Sequence, residues 1–139
     1  MNVDKLFKEG HLKKIPPSAE RAKKSIIVAE RYLSEARQNL LMGIHDLDII
    51  ASYASIFHAA RAILFVDGVA ARSHTAIHDY LKEKHGDFGE DLINAFDLYR
   101  RMRHSVAYGL DTEAGKDDAE DIINFANEFA VKVRRYLKI

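Results

Sequence analysis

The chain of 139 residues balances 21 Lys+Arg against 21 Asp+Glu, is 47% hydrophobic and contains no cysteine. That length makes one domain able to bury roughly two-thirds of its unfolded surface. The missing cysteines exclude a disulfide framework and any thiolate-held metal, and the neutral total gives no bulk attraction for nucleic acid.

The charge is nevertheless unevenly placed. Residues 1–40 carry nine basic and five acidic side chains, residues 111–128 carry seven acids against Lys116 alone, and Lys132, Arg134, Arg135 and Lys138 make the tail basic again. Such patches suit an anion, or the fit of one protomer against another. The charged start M-N-V-D-K-L-F-K-E-G lacks the apolar stretch of a signal peptide. The longest uncharged apolar run, 49–60, is too short to span a bilayer and includes His58. The expectation is a soluble, cytoplasmic protein.

In chain order, residues 1–17 read as an arm or short helix closed by Pro16-Pro17, and 18–139 as a helical bundle. Ser18 is the expected N-cap of a first long helix over 18–42. Further helices are predicted over 46–67, 73–85, 90–107 and 117–137, with Asp117 and Glu120 as a capping box for the last. Gly43, Gly68, Gly86 and Gly109 each stand where a left-handed residue would stop a helix. The 46–67 segment is rich in small side chains (Ala51, Ala54, Ser55, Ala59, Ala60, Ala62), which let neighbouring helices approach closely, so it is the expected central helix. Leu92, Phe96, Tyr99, Met102 and Val106 form the apolar stripe of the 90–107 helix; Ile122, Ala126, Phe129, Val133 and Leu137 form that of the last. No segment alternates with period two. The predicted fold is all-α, an up-and-down bundle of about five helices.

Several residues could carry chemistry. His74 and His78 have the i, i+4 spacing of two zinc ligands, but no third ligand is evident, and His74 is expected to cap or pack at a helix start. His58 should be a partly buried, hydrogen-bonded histidine. Arg61, one turn later, must reach solvent, a carboxylate such as Asp97, or a bound phosphate. The acids Asp117, Asp118, Glu120 and Asp121 complement a helix dipole more readily than they chelate magnesium. Tyr53, Phe57, Phe65, Phe96, Phe125 and Phe129 fall at core spacing.

The strongest cluster is L-Y-R-R-M-R-H-S-V-A-Y-G-L over 98–110. Arg100, Arg103, His104 and Tyr108 recur at three and four, so a helix sets them in one polar stripe. Guanidinium groups grip phosphate bidentately, and imidazole titrates near neutrality. The competing reading is a cationic cap on the helix C-terminus.

Two stretches together resemble a known family. S-Y-A-S-I-F-H-A-A-R-A-I-L-F-V-D-G-V-A-A-R-S-H-T-A-I-H-D-Y-L over 52–81 resembles the central helix pair of HEPN domains (higher eukaryotes and prokaryotes nucleotide-binding), in particular their small uncharacterised single-domain branch. There an aromatic–alanine helix ends in Gly, and a Ser/Lys–His pair opens the next helix. Residues 99–108 resemble the family's Arg-containing motif late in the bundle. The resemblance spans 18–137. It implies a helical bundle, usually a homodimer, whose motif faces a cleft between protomers, and frequent work beside a separately encoded nucleotidyltransferase, often as a toxin–antitoxin pair.

Family ribonucleases are metal-independent and place Asn, Asp or His directly after the motif Arg and a catalytic His five residues after it. Arg103 and His104 match the first two positions; the third is Tyr108. Arg cannot exchange a proton near neutrality, and tyrosine titrates near 10. The resemblance therefore implies first a nucleotide- or RNA-binding module anchored by Arg100, Arg103, His104 and Tyr108, with no cofactor or metal. Tyr108 is also a possible target of the transferase. The alternatives are an endoribonuclease with Arg103 and His104 catalytic, and a structural dimerisation domain whose arginines pair with the 111–121 acids. Arg103 and Tyr108 could meet one ligand only if the helix ended near Val106, since residues five apart point about 140° from each other.

Overall fold

The computed structural model describes residues 2–139 as an all-α bundle of six helices, five of them long, with one short ribbon. The helices are α1 (Val3–Lys8), α2 (Ala19–Leu41), α3 (His45–Asp67), α4 (His74–Lys84), α5 (Glu90–Tyr108) and α6 (Lys116–Leu137); β1 (Leu12–Lys14) and β2 (Val69–Ala71) form the ribbon. A single turn of 3-10 helix, Gly86–Phe88, joins α4 to α5.

The core is built around α3. Its small residues Ala51, Ser55, Ala59, Ala60 and Ala62 are buried among Ile49, Ile56, Ile63 and Leu64, so apolar groups point in several directions and not along one stripe. α2 pairs with it as an antiparallel hairpin, turning at Gly43 in a left-handed conformation (φ 73°). α6 closes over the hairpin through Ile122, Ala126, Phe129 and Val133, and α5 joins from the other side through Leu92, Ile93 and Phe96. α3 has 23 residues and contains an 18-residue window of mean hydropathy 1.7, so it has the length and composition to cross a membrane, which the shorter run between charged residues does not. Its burial among four other helices accounts for that composition.

The N-terminal residues fold back on the body. Asn2 caps α1 by accepting from the Lys5 amide at 2.8 Å, and Val3, Leu6 and Leu12 are buried. β1 then pairs antiparallel with β2, Leu12 opposite Ala71 and Lys14 opposite Val69. Strands were not expected, because three-residue segments are too short to show alternation and form only when tertiary folding brings them together. Gly68 (φ 78°) turns the chain from α3 into β2, and a Cβ there would lie 2.6 Å from the Ile15 carbonyl oxygen.

Helix ends depart from expectation in three places. Gly86 opens the 3-10 turn without a left-handed φ, and Gly109 is extended (φ −73°). Gly109 is needed for closeness: a Cβ would lie 2.5 Å from the Ser105 carbonyl oxygen and 2.9 Å from Thr112 Oγ1. α6 begins at Lys116 with Gly115 as N-cap and no side-chain cap, so Asp117 and Glu120 form no capping box. Ser18 and Ser73 do cap α2 and α4, accepting from the Arg21 and Ala76 amides.

Asp48 lies fully buried in the first turn of α3. Ser52 donates to its Oδ1 at 3.0 Å, and its Oδ2 has no partner. Burial pushes its carboxyl up to about 6, against the opposing pull of the Ser52 hydrogen bond and His45. The folded pKa is above the unfolded one, so this group's contribution to stability is fully present below about pH 4 and is lost as pH rises through 6. Asp48→Asn should therefore raise stability at pH 8 by on the order of 2 kcal/mol, with the gain gone by pH 4, in urea unfolding at the two pH values.

Candidate functional site

α5 runs unbroken past its basic residues to Tyr108, leaving no cation in its last turn. Arg100, Arg103 and His104 are thus not dipole partners of the helix end, whose influence fades within one turn. They face the start of α4. Together with Ser73, His74 and Thr75 they line an open cleft of about 250 Å³.

The two cleft arginines differ in kind. Arg100 donates from Nε to Asp97 Oδ1 at 2.9 Å, and Arg101 approaches the other oxygen at 3.5 Å. Asp97 is therefore occupied on α5 itself and is no partner for Arg61; both arginines hold its carboxyl below the usual range against burial. Arg103 has no carboxylate or hydrogen-bond partner among the described residues. Its guanidinium lies over the ring of the buried Tyr53, 5.5 Å from the centroid. That placement leaves its N–H donors without a partner among the described residues.

His74 forms the opposite wall. Its ring stacks on Phe57 at 4.4 Å, and its Nδ1 lies 2.7 Å from the Tyr53 hydroxyl. Burial, with the charges of Arg103 and Arg100, holds its pKa below the ordinary histidine value, while burial drives the Tyr53 phenol upward. Tyr53 thus keeps its proton, and its hydroxyl is hydrogen-bonded to an imidazole that is uncharged near neutrality. His74 is held in place through Nδ1.

His104 is exposed. Its ring packs against Tyr108 at 5.0 Å. Tyr108 is 67% exposed and stands outside the cleft lining. Because α5 continues to Tyr108, the early helix end that would bring Arg103 and Tyr108 to one ligand does not occur. Arg100, Arg103 and His104 come together; Tyr108 touches the site through His104. Sequence reasoning did not place Tyr53, Ser73 and Thr75 at this site and took His74 for a cap or packing residue. The signal was the Ser73-His74 pair opening a helix.

A family model for the HEPN domain matches residues 22–136. The chain belongs to the HEPN domain family. A UPF0332 protein of Archaeoglobus fulgidus is 29% identical over 112 residues, covering 76% of this chain and 86% of that protein. The residues quoted above for the HEPN resemblance, 52–81 and 99–108, lie within the matched span and build both walls of the cleft.

The other prominent polar cluster of the HEPN bundle is satisfied internally. His85 bridges Asp67 and the Tyr136 hydroxyl, Tyr80 donates to Asp67, and Tyr136 donates to Asp87. No group of three or more His, Cys, Asp or Glu side chains arranged to hold a metal ion occurs among the described residues. His78 lies beside Asp79, 3.2 Å from its Oδ1, and His74 is engaged by Tyr53.

Since its folded pKa is depressed, His74 opposes folding as pH falls below 6.5, where the unfolded chain takes up the proton first. Arg103→Gln removes the largest charge acting on it. In imidazole NMR titrations, the His74 pKa should lie below 6.5 in the wild type and rise in Arg103→Gln.

Proposed function

We propose that the chain is a nucleotide- or RNA-binding HEPN module in which the cleft between α4 and α5 takes a phosphate. The observation that carries this reading is Arg103: a charged guanidinium over the Tyr53 ring, without a counter-ion among the described residues, at the wall of a cleft that also presents Arg100 and His104. A phosphate supplies the acceptors that Arg103 lacks, and the Ser73 and Thr75 hydroxyls can donate to its remaining oxygens. The neutral His74 adds a hydrogen-bonding ring without adding charge.

The chemistry favours binding over cleavage. Attack by a ribose 2′-hydroxyl needs a group that accepts its proton near neutrality. Tyr53 occupies His74 Nδ1, Arg103 cannot serve, and Tyr108 lies outside the cleft. His104 is exposed and packed on Tyr108. A ribonuclease would have to run through Arg103 and His104, facing a His74 that Tyr53 engages at Nδ1.

In this reading the module is a homodimer. Tyr108, which packs on His104 at the cleft, is 67% exposed, and Leu110 two residues on is 100% exposed; a second protomer would cover them. The nucleotidyltransferase partner and the toxin–antitoxin role rest on the family resemblance, and the exposed Tyr108 hydroxyl is the group such a transferase would modify.

Mixed-sequence RNA in EDTA, tested with the wild type, Arg103→Ala and His104→Ala, separates binding from cleavage. The expected result is salt-sensitive RNA binding that weakens at least tenfold in Arg103→Ala, with no cleavage above the variants. Cleavage by the wild type that both substitutions abolish would make the protein a ribonuclease instead.

A further inference from the structure

Tyr53, Phe57, Arg61 and Phe65 recur every four residues, so they form one ridge along α3. At 1.5 Å per residue the ridge runs roughly 18 Å. Its groups touch in sequence from the cleft outward. Arg103 covers Tyr53, Tyr53 bonds His74, His74 stacks on Phe57, and Arg61 lies over both Phe57 (5.5 Å) and Phe65 (5.0 Å).

Arg61 repeats the arrangement of Arg103. It is half-buried, set over aromatic rings, and without a carboxylate or hydrogen-bond partner among the described residues. Burial lowers its affinity for its proton, yet a guanidinium remains charged at neutral pH. A cation desolvated without a counter-ion is unfavourable until an anion supplies one.

The surroundings have the same sign. Arg61 borders a hollow of about 230 Å³ that Arg21, Lys24, His58 and Phe65 also line. Lys24 pairs with Glu20 across 3.3 Å, both side chains mostly exposed, a contact that an incoming phosphate can displace. Asp97, the carboxylate nearest the cleft arginines, is held by Arg100 and Arg101.

From Tyr53 to Arg61 the ridge covers roughly 12 Å, so one phosphate cannot touch both Arg103 and Arg61. A polyanion of repeating phosphates can. We infer that single-stranded RNA, anchored by one phosphate at Arg103, runs along the α3 ridge and places another of its phosphates on Arg61. This rests on the reading of the Arg103 cleft as an RNA phosphate site. It adds a length requirement: a nucleotide fills the cleft alone, and an oligonucleotide engages both arginines. Arg61 and its two rings form the kind of cationic, ring-lined track that holds single strands without reading their sequence.

Fluorescence anisotropy with a 5′-labelled twelve-nucleotide oligouridylate tests the track, and inorganic phosphate followed through the His74 imidazole resonances tests the cleft. Arg61→Gln should weaken the twelve-mer at least tenfold and make the salt dependence shallower by about 0.7 in log–log slope, the loss of one single-strand phosphate contact. Phosphate should still perturb His74 as in the wild type. Arg61→Lys, which keeps the charge and should keep the fold, should recover part of the twelve-mer affinity. Unchanged twelve-mer affinity and salt slope in Arg61→Gln would overturn the track and leave the cleft standing. A change of oligomeric state in Arg61→Gln, read by light scattering, would overturn it in favour of a second protomer on this face. A wild type that binds neither probe would overturn both readings.

Discussion

The close seating of α3 among its neighbours is the constraint on which the rest of the structure depends. Because Ala51, Ser55, Ala59, Ala60 and Ala62 are small, α2 and α6 can pack against this helix while α5 joins from another side. The ridge that begins at Tyr53 then lies where α5 and the start of α4 meet α3. Tyr53 is both a core residue and the floor under Arg103, and its hydroxyl holds His74 at Nδ1. One buried ring thus links the packing of the bundle to the chemistry of the cleft.

That arrangement explains why the two walls behave differently. The α5 wall supplies charge: Arg100 is balanced by Asp97, while Arg103 is not. The α4 wall supplies neutral hydrogen-bonding groups: the Ser73 and Thr75 hydroxyls and a histidine that burial and two arginines keep uncharged. In the proposed reading, a site made in this way takes one anion and orients it. Ring-held guanidinium groups retain their geometry without a bound partner, so less side-chain freedom is lost when an anion arrives.

Much of the bundle was legible in the sequence because helical periodicity and small residues act locally. The span of α3, its central place and the Ser18 cap followed from residue type and spacing, whereas α4 is capped by Ser73 and not by His74. The β1–β2 ribbon did not, since pairing of Leu12 with Ala71 depends on contacts distant in sequence. The uncapped start of α6 at Lys116 defeated a capping-box pattern whose residues lie inside the helix. At the site, the stripe of Arg100, Arg103 and His104 was visible because it is on one helix. The facing wall was not, because nothing in the local sequence tells that Tyr53 and His74 meet Arg103. Tyr108 was grouped with the arginines by spacing alone, and the straight run of α5 puts it outside the cleft lining.

The central claim is that an anion completes the coordination of Arg103 across from His74. The most direct measurement is the His74 imidazole pKa, followed by NMR as inorganic phosphate is added to the wild type and to Arg103→Gln. The account predicts a saturable rise in the wild type, because a bound phosphate offsets the charge of Arg103 and favours the imidazolium, and no saturable change in Arg103→Gln. A His74 resonance indifferent to phosphate in the wild type would contradict it.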